Sequence, residues 1–222
     1  MKLWTRLVTG LFLSAFVWGG QHAYGQMQPI RVACVGNSIT EGAGLGDSTY
    51  PKQLQVLLGK NYDVRNYGLG GRTLLKHGDI PYWKEQKFQE VQGWNPQIVI
   101  IMLGTNDTKP WNWKYAAEFI PDYKAFIEVF RKLPSHPRIW ICDPVPVFRD
   151  NYGIRESVMK NEVIPDIAKI SRAEKVPVID MYKAEKGKGA HFKDGVHPDG
   201  YGDSFLAEAA FKSIHRYKPP EK

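Results

Sequence analysis

Acyl transfer by side chains alone needs four parts: a nucleophile, a base to deprotonate it, a group that holds the base, and donors for the charge that develops on oxygen. The sequence carries a residue suited to each part. Ser38 stands in "CVGNSITEGAG", residues 34–44, where an apolar strand-forming run breaks into a Gly-Asn-Ser turn with further glycines behind it. His197 stands in "DGVHPDG", residues 194–200, and Asp194 precedes it by three positions. One tight turn brings that carboxylate to the imidazole Nδ1–H, where it fixes the tautomer and stabilises the imidazolium. Gly71 in "NYGLGGRT" and Asn106 in "GTND" complete the set. The backbone N–H groups of Ser38 and Gly71 and the side-chain amide of Asn106 are oxyanion donors, each typically worth about 3 kcal/mol in the transition state. Glycine at 71 lets the backbone approach a substrate with no Cβ in the way.

Taken singly, each piece is ordinary turn chemistry: Gly-x-Ser, His-Pro-Asp-Gly and Gly-Thr-Asn-Asp all recur in structural loops. Their order along the chain gives them weight, because strand-like runs precede the first three. The runs are Ile30–Val35, Tyr62–Asn66, Gln97–Leu103, Arg138–Cys142 and Val176–Asp180. Helix-period stretches alternate with several of them, over Tyr50–Leu58, Tyr115–Leu133, Ser157–Ala173 and Gly202–Tyr217. "IVIIML" is apolar on both faces, which suits a parallel sheet covered by helices on each side. The pattern predicts one α/β layered domain with right-handed crossovers and about five parallel strands. Such sheets bind ligands beyond the carboxyl ends of their strands, where this polar punctuation falls.

The four segments resemble the blocks of the SGNH hydrolases, the GDSL-type esterase and lipase superfamily. "GNSIT" is similar to the first block with Ser38 as nucleophile, and "NYGLGG" to the second with Gly71 as the oxyanion glycine. "GTND" is similar to the third with Asn106 as the oxyanion asparagine, and "DGVHPD" to the last with Asp194 and His197 as acid and base. The blocks span residues 36–199. The resemblance implies a three-layer flavodoxin-like fold, a serine ester hydrolase, no cofactor and no metal. One position departs: the family usually has Asp where this chain has Asn37. That Asp is not the catalytic carboxylate, and Asn keeps its shape, although its amide also donates.

Residues 1–25 are set apart from the fold. Lys2 and Arg6 precede an apolar stretch, Leu7 to Trp18, and Ala23-Tyr24-Gly25 offers small residues to a signal peptidase. The stretch is shorter than the roughly 20 residues of a membrane span. An exported chain, periplasmic or secreted, with its domain over 26–222 and no membrane anchor after cleavage, is the expectation. Without Lys2 and Arg6 the formal charge falls from +7 to +5. The basic residues are scattered among acidic ones with no nucleic-acid motif, so a solvated surface is favoured over a nucleic-acid groove. The two cysteines, Cys34 and Cys142, lie in apolar strand-like runs with no zinc spacing.

Other chemistries fit less well. Gly36, Gly42, Gly44 and Gly46 do not make G-x-G-x-x-G, because Ser38 stands in the way, and no phosphate-loop motif occurs. Asp194, Asp199 and Asp203 do not follow the EF-hand pattern. Thr40 stands where a G-x-S-x-G elbow needs its last glycine. A non-catalytic carbohydrate-binding module accounts for the aromatics but not for five matched site residues. The ester itself is read from loops. Trp83 in "IPYW" and Trp111 and Trp113 in "KPWNWKY" can stack on sugar rings or pack the loops down. Arg72, next to Gly71, suits a carboxylated sugar or a structural carboxylate. These polar loops point to a polar acetylated substrate rather than a long acyl chain, with a lysophospholipase or thioesterase as the alternative. The resemblance, to the carbohydrate O-acetylesterases of the superfamily, implies an acetylated carbohydrate, such as acetylated sialic acid or plant polysaccharide.

Overall fold

The structure is a computed structural model and describes residues 28–216. The leader expected at 1–25 lies outside the described residues. Five strands form one parallel sheet: β1 (Ile30–Gly36), β2 (Tyr62–Gly68), β3 (Ile98–Met102), β4 (Arg138–Asp143) and β5 (Val178–Asp180), in the order β2-β1-β3-β4-β5. The connecting helices are α1 (Ser38–Glu41), α2 (Tyr50–Leu58), α3 (Gln86–Trp94), α4 (Pro110–Trp113), α5 (Phe119–Arg131), α6 (Glu156–Val158), α7 (Ile164–Glu174), α8 (Met181–Glu185) and α9 (Gly200–Arg216).

Alternation along the strands builds two cores. Ala33, Val35, Val99, Ile101, Ile139 and Ile141 face one side, against α3, α5 and α7, with an aromatic cluster in which Phe88 and Phe126 stack at 4.9 Å. Val32, Cys34, Ile98, Ile100, Trp140 and Cys142 face the other, against α2 and α9. A strand buried on both faces has no polar side to show, which is why "IVIIML" lacks period-two polarity. Both cysteines are free and buried.

The expected architecture is present, with shifts at the edges. The long helix expected from Tyr115 begins at Phe119 after a 3₁₀ turn over Ala116–Glu118. The stretch expected as one helix from Ser157 is split: α6 passes through a π-helical turn, Met159–Val163, before α7. Pro165 at the start of α7 explains the break, since its ring has no N–H to give to the preceding turn. Pro177 likewise shortens the fifth strand to Val178–Asp180. Helix α3 was not legible: only Phe88 and Val91 of it are buried, too few to print a period. Among the described residues no helix is long and apolar enough to cross a membrane.

Candidate active site

Because β1 lies between β2 and β3, the loop after β1 is flanked by the loops after both neighbours. Gly36, Gly68 and Met102 are level across the three strands. Ser38 therefore emerges between the segment carrying Gly71 and the segment carrying Asn106. This is the crevice where chain direction across the sheet reverses. Asn37 caps α1, its Oδ1 accepting from Ile39 N–H at 3.0 Å, and Gly42 ends that helix at φ 61° after a single turn. Asn37 is fully buried and its Nδ2 has no partner among the described residues. Only the oxygen half of the side chain is used there, the half that Asp and Asn share.

The three residues expected as a triad meet through long-range contacts. Ser38 Oγ lies 2.8 Å from His197 Nε2, and His197 Nδ1 lies 2.7 Å from Asp194 Oδ2. Asp194 Oδ1 accepts from the N–H groups of Val196 at 2.9 Å and His197 at 2.8 Å. Partial burial works against ionisation of this carboxyl, yet the two amides and the imidazole outweigh it and hold the pKa down to about 2. An ionised Asp194 can only accept, so the proton sits on Nδ1 and the Nε2 lone pair faces the Ser38 hydroxyl.

The groups expected as oxyanion donors are prepared in the same way. A Cβ on Gly68 would fall 2.1 Å from Glu41 N, and one on Gly70 would fall 3.7 Å from Ser38 Cβ, so the second loop runs directly against the serine turn. Gly71 follows at φ 80°, a conformation that favours glycine. Neither the Ser38 nor the Gly71 N–H donates to another described residue. Asn106 Nδ2 donates to Arg72 O at 3.1 Å, and Asn112 Nδ2 donates to Asn106 O at 2.9 Å. The Asn106 amide is thus fixed in place with one N–H to spare. Its neighbour Asp107, fully buried, accepts from Leu74 N–H and Leu75 N–H at 3.1 and 2.8 Å and so ties the two loops together. Burial pushes its pKa up to about 6 against the pull of those amides.

Residues 34–206 match the model of the GDSL-like lipase/acylhydrolase family. The chain belongs to this family. An acetylxylan esterase of Xylanibacter ruminicola is 36% identical over 206 residues, covering 83% of this chain and 43% of its own length. The chain thus spans less than half of that relative. Among solved structures, Est24, a carbohydrate acetylesterase from Sinorhizobium meliloti, superposes with a TM-score of 0.69 at 19% identity, covering 84% of this chain and 98% of its own. The aryl esterase of M. smegmatis does so with a TM-score of 0.67 at 20% identity, again over 84% and 98%. At these identities the structures speak for the fold.

In this GDSL-family chain two open hollows meet at Ser38 and His197. One, of about 240 Å³, is lined also by Gly71, Asn106, Lys109, Tyr152 and Ile154. The other, of about 350 Å³, is lined also by Ile39, Gly42, Ala43, Leu45, Asp194 and Pro198. The segment 151–154 closes over the triad turn: Asn151 Nδ2 donates to Asp194 O at 3.0 Å, and Tyr152 Oη lies 3.3 Å from Asp194 Oδ2. Asn151 and Ile154 bridge through Ile154 N–H to Asn151 O at 2.8 Å, with Tyr152 at φ 53° and Gly153 at φ 78° between them. A bulky side chain in that region costs about 1–2 kcal/mol.

The expected substrate contacts separate. Trp111 is exposed, its Nε1 donating to Asp79 Oδ2 at 2.8 Å and its ring lying where a Cβ on Gly153 would be. Trp83 and Trp113 are packing residues instead. The Trp83 ring stacks edge-on against Phe126 at 5.0 Å and its N–H is taken by Leu74 O at 2.7 Å. The Trp113 ring packs on Phe119 at 5.4 Å and its N–H is taken by Glu162 Oε2 at 2.8 Å. Arg72 is held by Glu85 at 3.1 Å and by Gly70 O at 2.6 Å, the structural-carboxylate alternative. Sequence reasoning missed Asp107, Asn151 and Tyr152. The Asn-Tyr-Gly run does read as a turn, but nothing local aims it at residue 194.

Proposed function

We propose that this chain is a serine esterase that removes O-acetyl groups from a carbohydrate through an acyl-serine intermediate. The observation that carries the reading is the contact of Ser38 Oγ with His197 Nε2 at 2.8 Å, with two unused backbone N–H groups and the Asn106 amide around the same hollow. His197 takes the Ser38 proton as Oγ bonds to the acetyl carbonyl carbon, and the carbonyl oxygen gains the charge. The N–H groups of Ser38, Gly71 and Asn106 receive that charge. Collapse breaks the carbon–alkoxy bond, and the His197 proton leaves with the sugar alcohol. Water repeats the cycle on the acetyl-serine, releasing acetate and regenerating the hydroxyl.

The acyl size is inferred from the kinship to an acetylesterase. Hollows of about 240 and 350 Å³, both open to solvent, accommodate an acetyl group beside Ser38. The acetylxylan esterase among its relatives supports a polysaccharide as the source of the alcohol. Turnover of p-nitrophenyl esters from acetate upward, beside a panel of acetylated glycans, tests the reading. Rates should fall steeply beyond two to four carbons, and acetate should be released from glycan. A preference for eight carbons or more would favour the lipid-directed alternative instead. Glycan binding without ester turnover would favour a binding module. Export through a leader at residues 1–25 belongs to the same proposal, and N-terminal sequencing of the protein recovered from outside the cytoplasm tests it.

A further inference from the structure

We propose that Tyr152 is the face on which the sugar of the departing alcohol rests, and that its hydroxyl at the same time positions Asp194. The proposal rests on the carbohydrate reading above. His197 must give its proton to the alcohol oxygen as that oxygen departs, so the oxygen comes within hydrogen-bonding distance of Nε2. The sugar ring follows one or two bonds farther out. The Tyr152 ring lies 5.7 Å from the His197 ring, tilted by 57°, and lines the hollow that contains Ser38. It is 56% exposed, although it belongs to a turn otherwise tied down. A sugar presents apolar C–H faces that pack well on an aromatic ring.

Three features argue that the ring is held there for use. Tyr152 sits at φ 53°, where Asn or Gly would be the unstrained choice. Its turn is clamped from two directions, by Asn151 on Asp194 O and by Trp111 beneath Gly153, where a Cβ would come within 2.6 Å of the indole. Its hydroxyl reaches Asp194 Oδ2 at 3.3 Å, the same oxygen that holds His197 Nδ1. A tyrosine needed only to cover the carboxylate would be buried over it. This one leaves most of its ring to solvent.

The test compares Tyr152→Phe, Tyr152→Ala and Tyr152→Gly on p-nitrophenyl acetate and on an acetylated xylo-oligosaccharide. Tyr152→Phe keeps the ring and loses the hydroxyl, so kcat should fall by the same two- to fivefold on both substrates. Tyr152→Ala and Tyr152→Gly should show that loss together with a further rise of about tenfold in KM confined to the oligosaccharide, about 1.4 kcal/mol of binding. Glycine relieves the positive φ, so Tyr152→Gly should melt no lower than wild type, which separates loss of the ring from loss of the fold. Equal losses on both substrates for all three variants would overturn the sugar contact while leaving the carbohydrate reading standing. A wild-type enzyme active on p-nitrophenyl acetate but inert toward every acetylated glycan would overturn both.

Discussion

Within nine residues the chain builds two imidazole–carboxylate pairs, and only one faces a serine hydroxyl. His197 Nδ1 meets Asp194 at 2.7 Å, and His191 Nδ1 meets Asp199 at 3.2 Å. Their local designs are alike. Asp194 Oδ1 accepts the amides of residues 196 and 197, and Asp199 Oδ1 accepts those of Tyr201 and Gly202 at 3.0 and 2.9 Å. Burial opposes ionisation of both carboxyls, yet both are held below their ordinary range, first by one backbone amide and then by the paired imidazole. Exposure does not separate the pairs either, with side chains at 34% and 30% for the first and 30% and 37% for the second. What differs is the other side of the imidazole. Nε2 of His197 meets Ser38, whereas the His191 ring lies against Tyr201 at 4.8 Å. A histidine held by an aspartate is thus an arrangement this loop uses twice, and only the pair proposed for catalysis has a serine hydroxyl at its third corner.

The sharpest way to break this comparison is to remove the corner residues one at a time. Ser38→Ala and His197→Ala should each lower kcat on p-nitrophenyl acetate by about 10⁴-fold or more, as losses at a serine–histidine unit do. His191→Ala should retain activity within about threefold, because no reacting atom lies near it. Comparable losses at both histidines would mean that the two pairs work as one unit.

The carboxylates give a second contrast, smaller in size. Asp194→Asn keeps the shape but no longer holds the proton on Nδ1, so kcat should fall by about 10²- to 10⁴-fold. Asp199→Ala should leave kcat near wild type and lower stability instead. Its side chain caps the start of α9, a role worth about 1 kcal/mol, or roughly 2–4 °C for a chain of this size. Kinetics and thermal melts of the two variants side by side decide the matter, and an exchange of the two phenotypes would refute the assignment.

The sequence made the first pair readable and left the second silent, for a physical reason. Asp194 and His197 are three residues apart in a Gly-containing turn, so local geometry alone can join them. His191 and Asp199 are eight apart and meet only because Asp199 N–H donates to His191 O at 2.8 Å as the chain enters α9. The same distinction runs through the molecule. The five strands and the turns after β1, β2 and β3 were legible, since apolar runs broken by Gly, Asn and Ser are local signals. Trp83 and Trp113 could not be told apart from Trp111 in the sequence, because an indole in a loop looks the same whether it points outward or onto Phe126 and Phe119. Tyr152 escaped notice because the connection from β4 to α6 must first fold back before that turn reaches Asp194.

A third carboxyl, one turn into α9, extends the contrast from held-ionised to held-protonated. Asp203 is fully buried, and burial pushes its pKa up to about 8, with the Tyr50 amide at 2.8 Å pulling the other way and the charges of Glu185 and Asp199 adding to the rise. Below about pH 4 the folded and unfolded chains both keep this proton, and the group does not affect stability. Between about pH 4 and pH 8 the unfolded chain releases it while the folded chain keeps it, so stability declines as pH rises. Asp194 has the opposite sign: its contribution is present above about pH 4 and is lost as pH falls toward 2. Asp203→Asn cannot titrate, and its Oδ1 can still accept from Tyr50 N–H. The variant should therefore melt close to wild type at pH 4 and above it at pH 8, by an amount equivalent to about 1–3 kcal/mol. A melting difference that stays flat from pH 4 to pH 8 would show that the folded chain carries this carboxyl ionised. The contrast with Asp194 would then reduce to hydrogen bonding alone.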